Sequence, residues 1–470
     1  MRAMTQDLTN CTAIEIAALI RNRAISPVES TRFFLERIER IDPQLNAFIS
    51  VTADKALARA RDAEQQVMAG DGTELGPFHG VPIAIKELAN VAGERSTGAS
   101  GAFANRMAEE DDEGIARLFR AGAIMLGKTN SPEFGLNATT EDGIFPPTRN
   151  PWNTNHSAGG SSGGSGAALA ARLVPFAEGS DGGGSIRIPA SACGLVGLKP
   201  SRCRVPSAPH AGLIVEGFAS SGPMARTVAD AALGLDVMGG PAVGDPFRTE
   251  LPAKSFSSAI GETLPKLRIA WTATSPTGPV DAEVAAAVER TRDALSDLGH
   301  ELVEGFPEMS GLWPLWPTIA NAFTASMDIE NPDLLGPHAR SSWDDGIGIS
   351  ARDYIRARND VYTLTRRILV WFDDYDVLLC PTLTRPPVPL GELNKVGQEV
   401  WDLLAEYIPF TYWVNMTGQP GISLPLAWSQ DGLPIGVQIV GRQLDERTLI
   451  TLAAQLEQIF PWADRRPPVS

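Results

Sequence analysis

Apolar and polar positions in this chain keep a helical rhythm near the start and switch to an alternation of short apolar runs and helices further on. Phe33, Phe34, Ile38 and Ile41 recur around the charged Arg37 at helical spacing, the mark of one buried helix face. Two capping boxes fix where the first helices begin. Thr12 is followed three positions on by Glu15, and Ser26 by Glu29, with Pro27 at the first helical position. The second helix is expected to stop near Asp42-Pro43, because proline cannot continue it. A third is expected over about 53–68.

From Val81 the texture changes. Short apolar runs appear at Val81–Ile85, Ala123–Leu126, Leu267–Trp271, Val377–Leu379 and Val437–Val440. Helical patterns lie among them at Glu113–Arg120, Asp281–Leu298 and Tyr354–Phe372, and a last one at Glu446–Phe460 is closed by Pro461. This alternation predicts an α/β layer architecture with a parallel or mixed sheet. Residues 301–350 break the rhythm: Trp313, Trp316 and Phe323 sit among prolines and polar residues without clear period. Aromatics in irregular backbone either line a pocket or fill a core.

Composition narrows the classes. The chain has 470 residues, 43% hydrophobic and 20% charged, enough for a sizeable core. Its 40 basic and 56 acidic residues give a net charge of −16. Such a surface repels nucleic acid and anionic membranes and suits a neutral or cationic substrate better. Cys11, Cys193, Cys203 and Cys380 have no C-x-x-C spacing and read as free thiols. The polar stretch MRAMTQDLTN lacks a signal-peptide core, and no run approaches the apolar length of a membrane span. A cytoplasmic protein is expected, a monomer or homodimer. No H-E-x-x-H or similar metal spacing occurs.

Three motifs bear on chemistry. Gly122 to Thr129 fits the phosphate-loop pattern G-x-x-x-x-G-K-T, but its middle residues read as a strand and Pro132 follows where a helix should start. Gly159-x-Ser161-x-Gly163 and Gly160-x-Ser162-x-Gly164 fit a nucleophile elbow. The preceding RNPWNTNHSA looks like a turn-rich loop rather than the strand that elbow requires, and His210, His300 and His338 lack a supporting context. The third is the run GGSSGGSG from Gly159, an apolar helical segment, and DGGGSIRIPA ending at Ala190. Glycine beside a nucleophile lets backbone N–H groups approach a reacting carbonyl. A serine hydroxyl also needs a base. Lys86, Lys128 and Lys199 each follow apolar residues. Burial would lower the pKa of any of them, so burial does not choose.

The third run resembles the signature of the amidase signature family, without gaps from Gly159 to Ala190 and including Asp181, Arg187 and Pro189. GVPIAIKEL (80–88) is similar to that family's lysine strand and GKTNSPEFG (127–135) to its acyl-pocket segment. CGLVGLKPSRCRVP (193–206), GLPIGVQIVG and PWADRRP are also family-like, so the resemblance covers about residues 12–468. It departs at Glu87, where Asp is usual, and at Ser180, where Thr is common.

The resemblance implies a central mixed, twisted sheet covered by helices on both faces. It also implies one domain over 1–470: N-terminal helices at about 12–68, a catalytic core at about 75–235, a variable pocket region at about 240–410, and a C-terminal sheet and helix at about 411–470. By motif position it implies a Ser185 nucleophile, a bridging Ser161 after a cis peptide bond, and a Lys86 base. The oxyanion would be met by the N–H groups of Gly182, Gly183, Gly184 and Ser185. Substrate contacts are expected from Gly135, Ser161, Trp313 and Trp316, with Ser162, Ser180, Asp181 and Arg187 supporting the site. The implied reaction is hydrolysis of a small-molecule amide, anilide or carbamate (urethane), with no cofactor and no metal. The glutaminase subunit of a tRNA-dependent amidotransferase is the alternative, and GKTNSPEF in place of a GKTNMDEF-type segment argues against it. A non-catalytic binding protein on the same fold is a third reading.

Overall fold

The computed structural model describes residues 7–70 and 75–470. Of the polar N-terminal stretch, Met1–Gln6 lie outside the described residues. The strands are β1 (Phe48–Val51), β2 (Pro82–Lys86), β3 (Ile124–Thr129), β4 (Arg149–Asn150), β5 (Asn153–Ser157), β6 (Phe176–Asp181), β7 (Val196–Lys199), β8 (Ser220–Ala225), β9 (Arg268–Trp271), β10 (Glu301–Glu304), β11 (Val377–Pro381), β12 (Gly421–Trp428) and β13 (Pro434–Gly441). Eleven of them form one sheet in the order β1-β3-β2-β6-β8-β7-β12-β13-β11-β9-β10. It is mixed: β3, β2 and β6 run parallel, as do β11, β9 and β10. The strands between them, from β8 to β13, pair antiparallel.

Period-two alternation shows that both faces of this sheet are covered. Ile269, Val377, Leu379 and Ile439 belong to one core cluster, and their chain neighbours Ala270, Leu378, Cys380 and Val440 to another. Successive strand residues point to opposite faces, so each face carries its own core. The first core takes Ile16 and Ile20, Phe34 and Ile38, Val284 and Val288, and Leu449 and Ile450. These come from the helices Ala13–Arg21, Pro27–Ile41, Ala282–Asp297 and Glu446–Ile459. The second takes Val361, Ile368, Trp413 and Val414, from the helices Ala351–Trp371 and Tyr412–Thr417.

The predicted helix starts are realised. Thr12 and Ser26 each cap their helix through the reciprocal bonds with Glu15 and Glu29, and the second helix ends at Ile41. All four cysteines are free. Within the described residues, no helix is long and apolar enough to cross a membrane. Two expectations change. Residues 301–350, read as irregular, contain strand β10 and the helices Trp316–Ala325 and Pro337–Ile347. Both helices carry proline in their first turn, where it donates no bond the helix needs, so a residue read as a breaker is here a starter. The segment before Ser161, read as turn-rich loop, pairs as the short ribbon β4–β5.

Candidate active site

Strands β2 and β6 lie side by side in parallel, with Ile83 opposite Phe176 and Ala84 opposite Ala177. Their C-terminal ends therefore reach the same edge, where α/β sheets form binding crevices. Lys86 ends β2 and Asp181 ends β6. The Lys86 Nζ lies 2.6 Å from Ser161 Oγ and 3.0 Å from Ser180 Oγ. The Gly160–Ser161 peptide is cis. A Cβ on Gly160 would come within 2.6 Å of the Thr139 backbone, so glycine alone fits there.

Of the three lysines that follow apolar residues, all are buried. Lys128 Nζ donates to the carbonyls of Glu87 and Ala89, and Lys199 Nζ to that of Pro200. Lys86 alone of the three reaches a serine hydroxyl. Burial pushes its ammonium well below the ordinary lysine range, while the carboxylates of Glu178 and Asp181 pull it back up.

Ser161 and Ser185 line one cavity of about 690 Å³, within the usual range for small-molecule sites. The Ser162 N–H donates to the Ser185 carbonyl at 3.2 Å, tying the two serine loops together. Ser162 Oγ in turn donates to the Ser180 carbonyl at 3.2 Å. Gly135 (φ +73°) backs Ser161, since a Cβ there would stand 3.1 Å from Ser161 Oγ.

The loop after β6 is clamped by an ion pair with no exposure on either side, Arg187 Nε to Asp181 Oδ2 at 2.9 Å. Asp181 also accepts from the backbone N–H of Gly184 at 2.7 Å and of Ile186 at 3.1 Å. Burial alone would raise the Asp181 carboxyl, but the charge and hydrogen bonds of Arg187, the Lys199 charge and the Asn415 side-chain hydrogen bond outweigh it and hold the group far below the usual range. The N–H groups of Gly182, Gly183 and Ser185 have no acceptor among the described residues, and all three residues line the cavity. Gly184 differs from expectation: its N–H is engaged by Asp181 and it does not line the cavity. That reduces the expected four donors to three.

The two tryptophans separate. Trp316 lines the cavity with its ring over the glycine loop, 3.3 Å from where a Gly183 Cβ would stand. Phe323, one of the aromatics read as either pocket or core, also lines it. Trp313, expected at the substrate, packs edge-on against Tyr412 at 4.8 Å and does not line the cavity. The Pro317 turn places Trp313 and Trp316 in different elements.

Several functional neighbours escaped the sequence reading. Asn415 Nδ2 donates to the Asp181 carbonyl at 2.8 Å, and Gln438 Oε1 accepts from Arg187 Nη1 at 2.7 Å. Thr411 Oγ1 donates to the Gly183 carbonyl at 2.7 Å. An amide inside an apolar run, as in WVNMT and IGVQIV, implies a buried partner, and that was the available signal. Glu178, buried beside Lys86, accepts its backbone N–H at 3.1 Å.

A family model described as Amidase matches residues 29–450. A putative amidase, AmiB2, of Mycobacterium tuberculosis is 39% identical, covering 99% of each chain. An acylamidase of Rhodococcus erythropolis is 35% identical over 98% of each. The solved structure of a 6-aminohexanoate cyclic dimer hydrolase complexed with substrate superposes with TM-score 0.91 at 33% identity, covering 98% of this chain and 99% of that one. The buried lysine–serine contact, the clamped glycine loop and these likenesses converge: the chain belongs to the amidase signature family and is an amide-hydrolysing enzyme.

Proposed function

We propose that the enzyme cleaves linear carboxamide-type C–N bonds, in amides, anilides and carbamates, through an acyl-enzyme on Ser185 with Lys86 and Ser161 as its proton relay. The observation that carries this reading is the 2.6 Å contact between a fully buried Lys86 Nζ and Ser161 Oγ, in the cavity that Ser185 also lines. Burial favours the neutral amine, the only form that accepts a proton. Lys86 takes the Ser161 hydroxyl proton, and Ser161 takes that of Ser185, whose Oγ bonds to the substrate carbonyl carbon. Charge on the carbonyl oxygen is met by the free N–H groups of Gly182, Gly183 and Ser185. Ser161 then protonates the departing nitrogen as the C–N bond breaks, and Lys86 returns its proton to Ser161. Water attacks the acyl carbon through the same relay, releasing the acid and restoring Ser185. The aromatic lining of Phe134, Trp316, Phe323 and Trp401 suits an apolar or aryl group.

A fluorophosphonate probe is expected to label the enzyme and to leave Ser185→Ala unlabelled. Lys86→Met should lower kcat/KM on an anilide by about 10³-fold or more. Full turnover by Lys86→Met would remove the relay. A panel of a primary amide, an anilide, an aryl ester, a carbamate and free glutamine ranks the substrate classes. Turnover confined to glutamine would favour the amidotransferase reading.

A further inference from the structure

The cavity wall that begins at Ser161 ends in a cation. Gly135 stands against Ser161. Its neighbour Phe134 meets Phe103 edge-on, ring centroids 5.9 Å apart. The Arg106 guanidinium lies 4.7 Å over the Phe103 ring. All four residues line the cavity. The stack is set by the backbone. Gly98 leaves the only room for Phe134, because a Cβ there would be 2.9 Å from its ring, and the Phe134 N–H donates to the Gly98 carbonyl at 2.8 Å. Arg106 is anchored by one edge, Nε to the Ser96 carbonyl at 2.6 Å and Nη2 to Ser96 Oγ at 3.3 Å.

The rest of that guanidinium has no acceptor among the described residues, and no carboxylate there lies within ion-pairing distance of it. Arg106 is also the only arginine or lysine among the lining residues. Burial works against the Arg106 charge, and the Glu87 carboxylate, beyond pairing distance, favours it. Two of the three lining carboxylates have protein partners: Asp112 accepts from Asn90 N–H at 2.9 Å and faces His210 at 3.7 Å, and Glu178, beside the serines, accepts the Lys86 N–H at 3.1 Å. Asp328 lies exposed on the cavity lining.

We propose that Arg106 receives a carboxylate at the far end of the substrate, so that the preferred substrates are linear amides carrying an acid group beyond an apolar or aryl segment. A guanidinium offers a planar fork that matches a carboxylate, and the two rings between it and Ser161 supply an apolar wall for the intervening chain. This inference rests on the amide-hydrolysis reading. It qualifies the expectation from net charge, because a carboxylate touching the exposed Arg106 responds to that nearest charge more than to the whole surface.

The test uses p-nitroanilides of the dicarboxylic acids from succinic to azelaic, each beside its methyl-terminated and ω-amino-terminated counterpart. For the longer members, kcat/KM should favour the carboxylate over the methyl terminus by about fivefold, chiefly through KM, and the ratio should fall at high salt. Arg106→Met should bring the ratio to about one, and Arg106→Lys should keep part of it, because lysine retains the charge without the fork. Three results would overturn the proposal: a ratio near one in the parent enzyme, a ratio that survives Arg106→Met, or a preference for the ammonium terminus. Turnover of the methyl-terminated anilides without carboxylate preference would sink this inference alone. No turnover of any anilide would instead remove anilides from the proposed substrate range.

Discussion

In the proposed relay Lys86 can act as a base only while uncharged, so whatever sets its charge would set the pH at which the enzyme works. Burial drives the proton off, and the Glu178 and Asp181 carboxylates hold it on. The Glu178 carboxyl is itself pushed up by burial and drawn down by Lys86, so the two titrate as a pair. The sign follows directly. Activity should rise with pH as the amine loses its proton, with a midpoint below the ordinary lysine value near ~10.4. Glu178→Gln keeps an oxygen for the Lys86 N–H but removes a negative charge that favours the ammonium. The acid limb of the kcat/KM profile should therefore move to lower pH. Measured profiles of the parent and the variant decide it: a limb that moves up, or stays put, would mean that Lys86 is not the titrating group.

The element that most depends on exact backbone is the loop from Gly182 to Ser185. Gly184 has φ +133°, and a Cβ on it would stand 2.6 Å from both Ile188 Cδ1 and Thr411 Oγ1. Gly184→Ala is expected to cost about 1–3 kcal/mol in stability from the backbone alone and to slow acylation about 10²-fold as the neighbouring N–H donors shift. Thermal melts and burst kinetics measure the two effects separately. This loop was legible in the sequence because the run from Gly159 to Ala190 resembles the family signature without gaps. The strands at Val81, Ala123 and Val377 were legible too, as short apolar runs. Strands β6, β8 and β12 were not, because Ser, Gly and Pro fill them in FAEGSD, SSGPMA and GISLPLAW. Neighbouring strands, not propensity, make these segments extended. Trp316 and Trp313 looked alike in sequence; both pack half-buried against the same core clusters, and only Trp316 also lines the cavity. Asn415 and Gln438 lie more than two hundred residues from the ion pair they support, a distance no local pattern spans.

At the scale of the whole molecule, the C-terminal hairpin is the keystone of the sheet. β12 pairs with β7 of the half that carries the serines, and β13 pairs with β11, the entry to β9 and β10. The tail beyond it is bound back to the same half: Glu446 meets Arg204 at 3.1 Å with both side chains buried, and Trp462 Nε1 donates to the Arg226 carbonyl at 2.9 Å. Chains of this length often divide into separately folding domains, but here any cut between the catalytic core and the pocket region passes through paired strands. The expectation is one cooperative thermal transition, in which fluorophosphonate labelling of Ser185 and tryptophan fluorescence are lost together. Arg204→Met, which leaves Glu446 buried without its partner, should cost about 3–5 kcal/mol and lower that single transition without splitting it. A chain ending at Gly418 would lack β12 and β13 and leave the edges of β7 and β11 unpaired, so it should aggregate rather than yield an active core. Calorimetry of the parent that resolved two transitions, or a soluble, labelled 1–418 fragment, would show that the halves fold apart and that the hairpin merely joins them.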